Sequence, residues 1–246
     1  MTGHDTTQAP LPERAVRELA AATATLVTDH DVVGSTTALL HGCADCVGAK
    51  AAGIILAVPD SGRLEFLAST DHGSQHLELY QVQVDEGPGI DCTSTGQAIT
   101  ISGLTQIADR WPTLPGAFAA AGFDGVHAAP MIWQGQTLGA VNLFFGEGDR
   151  PGGETSVVAQ AFADIACLVV IQTAPQTPTQ VAAKTRAALD ERAVIERAKG
   201  VIAYTRRIPM DAAFDHLVSL ARERRQLLTT AAAAIIDQAA AAHGRR

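Results

Sequence analysis

The sequence predicts an α+β domain followed by a small all-α domain, and three observations lead to this division. Apolar segments typical of β-strands alternate with helical patterns up to about residue 172. A connection rich in Thr, Gln and Pro follows, and its prolines stop the preceding helix. From Gln180 onward there are twelve Lys/Arg against seven Asp/Glu, whereas residues 1–179 carry six against nineteen. We therefore expect an N-terminal domain over 14–172, a linker over 173–180 and a helical domain over 181–242.

The N-terminal domain is expected to contain helices at both ends and antiparallel hairpins between them. Helical spacing of apolar residues predicts a first helix over 13–29, and Ser35, after Gly34, is a suitable N-cap for a second. Apolar runs bounded by Gly, Pro and Asp predict strands. These are 51–58, 64–69, 97–102, 128–134 and 137–145, with a helical or irregular segment at 75–84, a turn at 86–89, a loop and short helix at 111–121 and a closing helix at 154–171. This order favours an antiparallel sheet with helices on one side.

Three amphipathic helices are expected in the C-terminal domain. In the first, Ala188, Ile195 and Ile202 recur every seven residues and form a narrow apolar seam. The pattern breaks near Pro209, and Asp211 suits the positive end of the helix that follows. The second helix carries Met210, Ala213, Phe214, Leu217 and Ala221, and the third carries Leu227, Leu228, Ala232, Ile235, Ile236 and Ala239. Three helices that share one apolar side predict a small bundle.

Composition and motifs argue against a membrane protein, a disulfide framework and an enzyme. The longest apolar run, 165–171, is shorter than the roughly 20 residues of a membrane span, and the N-terminal residues are polar, so a cytoplasmic location is expected. Four cysteines in that compartment imply thiols. Neither a P-loop nor a nucleophile elbow occurs, so no catalytic residue is assigned. Cys43 and Cys46 supply only two ligands, so no metal site is assigned, although a redox or metal role for them stays open.

An ordered set of small and apolar residues runs through all three C-terminal helices. Ile195 is followed by Ala198-Lys199-Gly200, then Ala213-Phe214, Leu217 and Ala221, and finally Leu228 and Ala232. This order resembles the ANTAR domain, a bacterial RNA-binding antiterminator module. The resemblance implies a transcription antitermination regulator that binds two hairpin loops of nascent leader RNA as a homodimer and so affects the transcription machinery indirectly. The seam at Ala188, Ile195 and Ile202 is a candidate for part of the dimer interface.

Basic residues near these motifs are the candidates for RNA contacts, because Arg pairs with phosphate and stacks on unpaired bases. The candidate set is Arg197, Ala198, Lys199, Gly200, Arg206, Arg207, Arg222, Arg224 and Arg225. Close helix packing explains Gly200 equally well. Tyr204 is the aromatic side chain nearest to this set, and either base stacking or burial accounts for it.

A second set of motifs lies in the N-terminal domain. It comprises Glu86-Gly87-Pro88, 95–98, Arg110-Trp111-Pro112, Gly125-Val126, Ala129-Pro130-Met131 and 139–143. These motifs resemble GAF domains of the type that precedes ANTAR domains, and the resemblance implies a sensory domain with a pocket beneath the segments that cover its sheet. The candidate lining residues are Asp91, Cys92, Ser94, Thr95, Trp111, Phe118, Phe123, His127 and Asn142. No cofactor is assigned, and the small-molecule ligand, where one binds, is not identified.

Two other functions stay open at this point. The first is a DNA-binding regulator, whose tail would act as a helix-turn-helix and prefer duplex to hairpin RNA. The second is a GAF module that binds a ligand or protein and carries an inactive tail. Ala203 and Val218 keep the second alternative open, because the ANTAR pattern usually has Met and Arg there.

Overall fold

The N-terminal part of the chain is built on five strands in one antiparallel sheet. The computed structural model describes residues 11–24, 31–171 and 178–243. The strands are β1 (Ala51–Ala57), β2 (Leu64–Ser69), β3 (Ile99–Ser102), β4 (Gly125–Trp133) and β5 (Gln136–Phe145), in the order β2-β1-β5-β4-β3. The helices are α1 (Leu11–Ala24), α2 (Val32–Val47), α3 (His72–Val84), α4 (Pro88–Thr95), α5 (Leu104–Arg110), α6 (Pro115–Ala121), α7 (Gly153–Ile171), α8 (Pro178–Arg206), α9 (Met210–Glu223) and α10 (Leu228–His243). An α+β domain followed by three helices confirms the predicted fold class.

Strand β1 shows why a strand at the centre of the sheet is a continuous apolar run in the sequence. Ala52, Ile54 and Leu56 pack into one hydrophobic cluster, whereas Ala51 and Ile55 pack into another on the opposite face. Successive side chains of a strand point to opposite faces, so a strand buried on both faces has no polar alternation. The two faces of the sheet therefore carry two separate cores.

Helices cover both faces of the sheet, and the expectation of helices on one side was wrong. Helices α1, α2 and α7 pack on one face, and α3 to α6 pack on the other. Of the second group, α4 has eight residues, and α5 and α6 have seven each. A helix of two turns shows too few repeats of the 3.6-residue period to be recognised from sequence.

Among the element boundaries that differ from those predicted, two are explained by turn chemistry. Helix α2 begins one turn earlier than Ser35 because Asp31 is its N-cap, with the carboxylate accepting a hydrogen bond from the Gly34 N–H at 2.9 Å. The β4–β5 turn is centred on Gln134 and Gly135, whose φ angles are 47° and 80°. Two consecutive positive φ angles match the type I′ turn that suits a tight hairpin.

The long closing helix α7 belongs to the core of this domain. Within the described ranges it is the one helix whose length and apolar composition would fit a membrane span. More than half of that stretch is buried, and α7 packs against α2 and β4. The apolar character of α7 is thus accounted for by intrachain packing. The segment 172–177 between α7 and α8, where most of the predicted linker falls, lies outside the described residues.

Helices α8, α9 and α10 form the expected bundle, and they bury the predicted seam inside it. Ala188, Ile195 and Ile202 are 1%, 2% and 4% exposed. They share one hydrophobic cluster with Leu217 and Leu228 of the other two helices, and this cluster continues into α2 and α7. The proposed dimer contact at the seam is therefore corrected: the other two helices and the N-terminal domain of the same chain cover these residues.

Candidate nucleic-acid interface

One face of α8 is exposed and carries both a cation and an aromatic ring. Arg197, Gly200 and Tyr204 follow one another at spacings of three and four residues, so they lie along one side of the helix. All three are exposed, and Tyr204 is 82% exposed. This face points away from the buried seam of the same helix. We name Arg197, Gly200 and Tyr204 the α8 stripe.

Gly200 has no packing reason for lacking a side chain. A Cβ atom built at this position meets no atom within 4 Å outside its own helix turn. Glycine in the middle of a helix costs roughly 0.5–1 kcal/mol relative to alanine, and nothing within the described part of the chain offsets that cost. The close helix packing that the sequence allowed as an explanation for Gly200 is therefore absent among the described residues.

Two pairs of exposed arginines flank α9. Arg206 and Arg207 precede it, and Arg224 and Arg225 follow it. Arg207 and Arg225 have φ angles of 55° and 51°, which are uncommon for residues with a side chain. Helix α9 has 14 residues and is therefore about 21 Å long. The pairs present positive charge at its two ends, and Arg222 in its last turn is also exposed.

Two of the predicted contacts are buried rather than exposed. Ala198 is 0% exposed and packs inside the bundle. Lys199 is 5% exposed. Its ammonium donates to Gln75 Oε1 of α3 at 3.1 Å and to Glu196 Oε1 at 3.0 Å, and it lies 5.4 Å from the centre of the Phe214 ring. Lys199 is thus enclosed where the bundle meets the N-terminal domain, on a different side of α8 from the stripe.

Comparison with known families identifies the bundle. Residues 183–236 match the family model of the ANTAR domain. These residues form an ANTAR domain. ANTAR domains are RNA-binding modules of antitermination regulators and are not catalytic. No curated protein matches the chain significantly in sequence.

The N-terminal domain has the fold of solved GAF domains. The GAF domain of Acinetobacter phosphoenolpyruvate-protein phosphotransferase aligns with a TM-score of 0.50 at 10% identity, over 66% of this chain and 93% of its own. The corresponding GAF domain from Coxiella burnetii aligns with a TM-score of 0.51 at 14% identity, over 74% and 98%. Free methionine-R-sulfoxide reductase from Neisseria meningitidis aligns with a TM-score of 0.51 at 12% identity, over 76% and 99%. At such identities the likeness concerns the fold alone.

The predicted lining residues of the GAF pocket are mostly packed against one another. Cys92, Trp111, Phe118 and Phe123 are at most 2% exposed and belong to the hydrophobic cluster beneath α3 to α6. Their side chains take up the space in which a ligand was expected. Burial raises the pKa of the Cys92 thiol to about 12, so this thiol is protonated at neutral pH.

Asp91 and the residues around it form the rim of this cluster. Asp91 accepts hydrogen bonds from Arg110 Nε at 2.9 Å and from the Trp111 indole N–H at 3.2 Å. Ser94 and Thr95 donate to the Asp91 backbone carbonyl, at 3.0 and 2.7 Å. The structure thus brings Asp91, Ser94, Thr95 and Trp111 together at the rim.

His127 lies apart from the other predicted lining residues. In the β4–β5 register His127 pairs with Leu143, whereas Ala128 pairs with Asn142. Because neighbouring positions of a strand face opposite ways, His127 and Asn142 are on opposite faces of the sheet. His127 is bonded to Thr100 through Nδ1 at 2.7 Å, and burial lowers its pKa. The structure therefore does not place His127 and Asn142 in one pocket.

Asn142 belongs instead to a buried polar network that the sequence did not reveal. Its Nδ2 donates to both carboxyl oxygens of Glu78 at 2.9 Å, and Gln81 Nε2 donates to Glu78 Oε2 at 3.0 Å. Burial raises the pKa of Glu78 to about 8, and the hydrogen bond from Asn142 opposes this shift only in part. A Cβ atom at Gly53 would clash with Glu78 Oε1, so the glycine in β1 makes room for the carboxyl group. A glycine within a predicted strand was the feature of the sequence that could have indicated this buried carboxyl group.

The Cys43 and Cys46 thiols lie inside α2. Both are buried, and burial raises the pKa of each. Among the residues that the structure describes, no group of three or more His, Cys, Asp or Glu side chains is arranged to hold a metal. The structure therefore shows these cysteines as packed, protonated thiols.

Proposed function

We propose that this protein binds the loops of hairpins in nascent leader RNA through its ANTAR domain and so prevents a terminator hairpin from forming. The observation that carries the proposal is the α8 stripe, where a cation, an unencumbered backbone and an exposed ring lie side by side. Unpaired loop bases stack on aromatic rings and guanidinium planes, whereas bases inside a duplex are not free to do so. The exposed arginines at both ends of α9 supply phosphate contacts.

The proposal extends to assembly and location. Two hairpins need two RNA-binding units, so we propose a cytoplasmic homodimer with a regulatory, non-catalytic role. The GAF domain is its control module. Because the α8 seam is buried within the chain, the contact between the two copies uses another surface.

Replacing Tyr204 tests the stripe as a stacking platform. Tyr204→Ala should weaken binding of the full-length protein to a two-hairpin RNA by roughly 5- to 150-fold, because stacking of a base on an aromatic ring is worth about 1–3 kcal/mol. Tyr204→Phe is the matched control and should keep the affinity, since it keeps the ring. Fluorescence anisotropy against two-hairpin RNA, a single hairpin and duplex DNA gives the comparison. Equal affinity of the Ala variant, or a preference for duplex DNA, contradicts the proposal.

Replacing Gly200 should change the stability of the protein and its affinity for RNA in opposite directions. Gly200→Ala should raise the free energy of unfolding by roughly 0.5–1 kcal/mol, because the added methyl group points into open space and the helix gains propensity. The same methyl group should weaken RNA binding by holding the partner away from the backbone. Urea unfolding and anisotropy on the same preparation measure the two effects. A more stable variant with unchanged RNA affinity means that the partner does not approach here.

A further inference from the structure

The GAF domain supplies oxygen atoms to two groups of the ANTAR domain that are suited to bind phosphate. The first group is the ammonium of Lys199. Gln75 Oε1, on α3 of the GAF domain, accepts from it at 3.1 Å, and Glu196 accepts a second hydrogen bond. Lys199 is only 5% exposed, so an RNA phosphate does not reach its ammonium while the two domains are docked.

The second group is the N-terminus of α10. The Leu228 N–H donates to Asp31 Oδ2 at 2.6 Å, and Asp31 comes from the GAF domain, 197 residues earlier in the chain. The first N–H groups of a helix lack intrahelical partners and carry partial positive charge, which makes a helix N-terminus an anion site. A carboxylate of the GAF domain occupies that position. Arg222 and Arg225 line the same cleft, whose volume is about 500 Å³.

The charges of the two domains act in the same direction. Residues 1–179 carry six basic against nineteen acidic side chains, whereas 180–246 carry twelve against seven. While the domains are docked, the acidic domain lies beside the basic one and reduces its attraction for a polyanion. Separation would expose Lys199 and the α10 N-terminus and would remove this neighbouring negative charge.

The interface is also suited to open, because it encloses charged groups that are poorly satisfied. Within the described part of the chain, Glu191 Oε2 and Arg192 Nε are buried and have no hydrogen-bond partner. Burial and the nearby charge of Asp31 raise the pKa of Glu191 to about 7, and burial lowers the pKa of Arg192. An unsatisfied buried polar atom costs about 1–3 kcal/mol. The cost of burying these groups thus offsets part of the stabilisation that the docked form gains by burying apolar surface.

We propose that the docked arrangement is an autoinhibited form, in which Gln75 and Asp31 of the GAF domain occupy positions that RNA phosphates take once the domains separate. This proposal rests on the proposed RNA-binding function. The signal that acts on the GAF domain does so by shifting the balance between the docked and separated forms. A ligand shifts such a balance only by its difference in affinity for the two forms.

A charge placed at Gln75 tests this proposal from the GAF side, without touching the ANTAR domain. Gln75→Lys puts a cation against Lys199 and should separate the domains. Each freed phosphate contact steepens the salt slope by about 0.7 and is worth about fivefold in affinity at 0.1 M salt. We therefore expect at least about a fivefold gain in affinity for two-hairpin RNA. Gln83→Lys is the matched control: it adds the same charge to an exposed position of the same helix, outside the interface.

Amine labelling reports docking independently of RNA. The chain has three lysines, Lys50, Lys184 and Lys199. Lys50 is exposed and serves as the internal reference. Lys199 should be labelled slowly in the wild type and in Gln83→Lys, and at a rate near that of Lys50 in Gln75→Lys.

Asp31→Asn is the second variant. It keeps an oxygen for the α2 N-cap and removes the charge at the N-terminus of α10, and like Gln75→Lys it should raise the affinity for RNA.

The outcomes distinguish the two proposals. Faster labelling of Lys199 with a gain in RNA affinity that Gln83→Lys lacks supports autoinhibition. Faster labelling with unchanged RNA affinity overturns autoinhibition and leaves the RNA-binding function standing. Fast labelling of Lys199 in the wild type overturns the docked form itself. If RNA binds neither the wild type nor the unlabelled form of a variant whose Lys199 is rapidly labelled, the RNA-binding function fails and autoinhibition fails with it.

Discussion

Glu78→Gln should abolish most of the loss of stability that the wild-type protein suffers as the pH rises from 6 to 8. The Glu78 carboxyl is fully buried, and burial raises its pKa from an ordinary value of 4.5 to about 8. The folded protein therefore holds this proton more tightly than the unfolded chain does. The free energy of unfolding falls with rising pH wherever the folded form binds more protons than the unfolded chain. For this carboxyl group that range is from about pH 4.5 to 8.

The size of the effect follows from the linkage of one proton. One proton changes the free energy of unfolding by up to about 1.4 kcal/mol per pH unit, and this slope falls to half at the folded pKa of about 8. Glu78 should therefore cost the wild type about 2 kcal/mol between pH 6 and pH 8. The amide that replaces the carboxyl group in Glu78→Gln carries no charge at any of these pH values. This amide can still accept from Gln81 and donate toward Asn142, whose Oδ1 has no partner among the described residues. The variant should be the more stable protein at pH 8 and above.

Urea unfolding at pH 6, 7, 8 and 9 measures this difference. Glu147→Gln is the matched control, because Glu147 is exposed and its replacement should leave the pH profile unchanged. Glu191, whose pKa burial raises to about 7, adds a smaller slope of the same sign that all three proteins share. Parallel profiles for the wild type and Glu78→Gln would show that the Glu78 carboxyl is solvated in the folded protein, and the buried network would be wrong.

Glu78 also shows what the sequence could and could not predict about the GAF domain. The apolar runs of β1, β4 and β5 predict strands because each is long and bounded by turn residues. Glu78 lies in α3, where the same stretch was predicted only as helical or irregular. A carboxylate in a helix is usually solvated, and its enclosure depends on Gly53 and Asn142, which come from strands far away in the chain.

Some of the residues predicted to bind RNA are exposed and others are buried, and the sequence could not distinguish them for a similar reason. The motif around Ala198, Lys199 and Gly200 identifies the ANTAR domain correctly, but it does not say which side of α8 meets the rest of the chain. Helical spacing places Gly200 with Arg197 and Tyr204, and it places Lys199 elsewhere. What lies opposite Lys199 is Gln75, 124 residues away in sequence. Periodicity describes the faces of one helix, whereas the partner of each face is fixed by tertiary packing.

Periodicity also failed to reveal what packs against the seam at Ala188, Ile195 and Ile202. The substitution Ile195→Asp tests whether the seam packs within its own chain, and its expected effect is large. Ile195 is 2% exposed inside a cluster that joins α8, α9, α10 and the GAF domain. An aspartate there would bury an unpaired charge, which costs several kcal/mol. The ANTAR domain should lose its fold: helical circular dichroism should fall, trypsin should cleave within 183–236, and RNA binding should disappear.

Ile195→Val is the matched control, and it should cost only about 0.5–1.5 kcal/mol because it removes one methylene group. Protein concentration then separates packing within the chain from packing between copies. If Ile195 is buried within its own chain, the destabilisation by Asp relative to the wild type is the same at every concentration, because no second copy contacts the seam. If the seam holds two copies together, Ile195→Asp should remain helical as a well-folded monomer, and its destabilisation relative to the wild type should grow with concentration. Because Leu217 and Leu228 of the same chain already cover the seam, the first result is the one that the structure predicts.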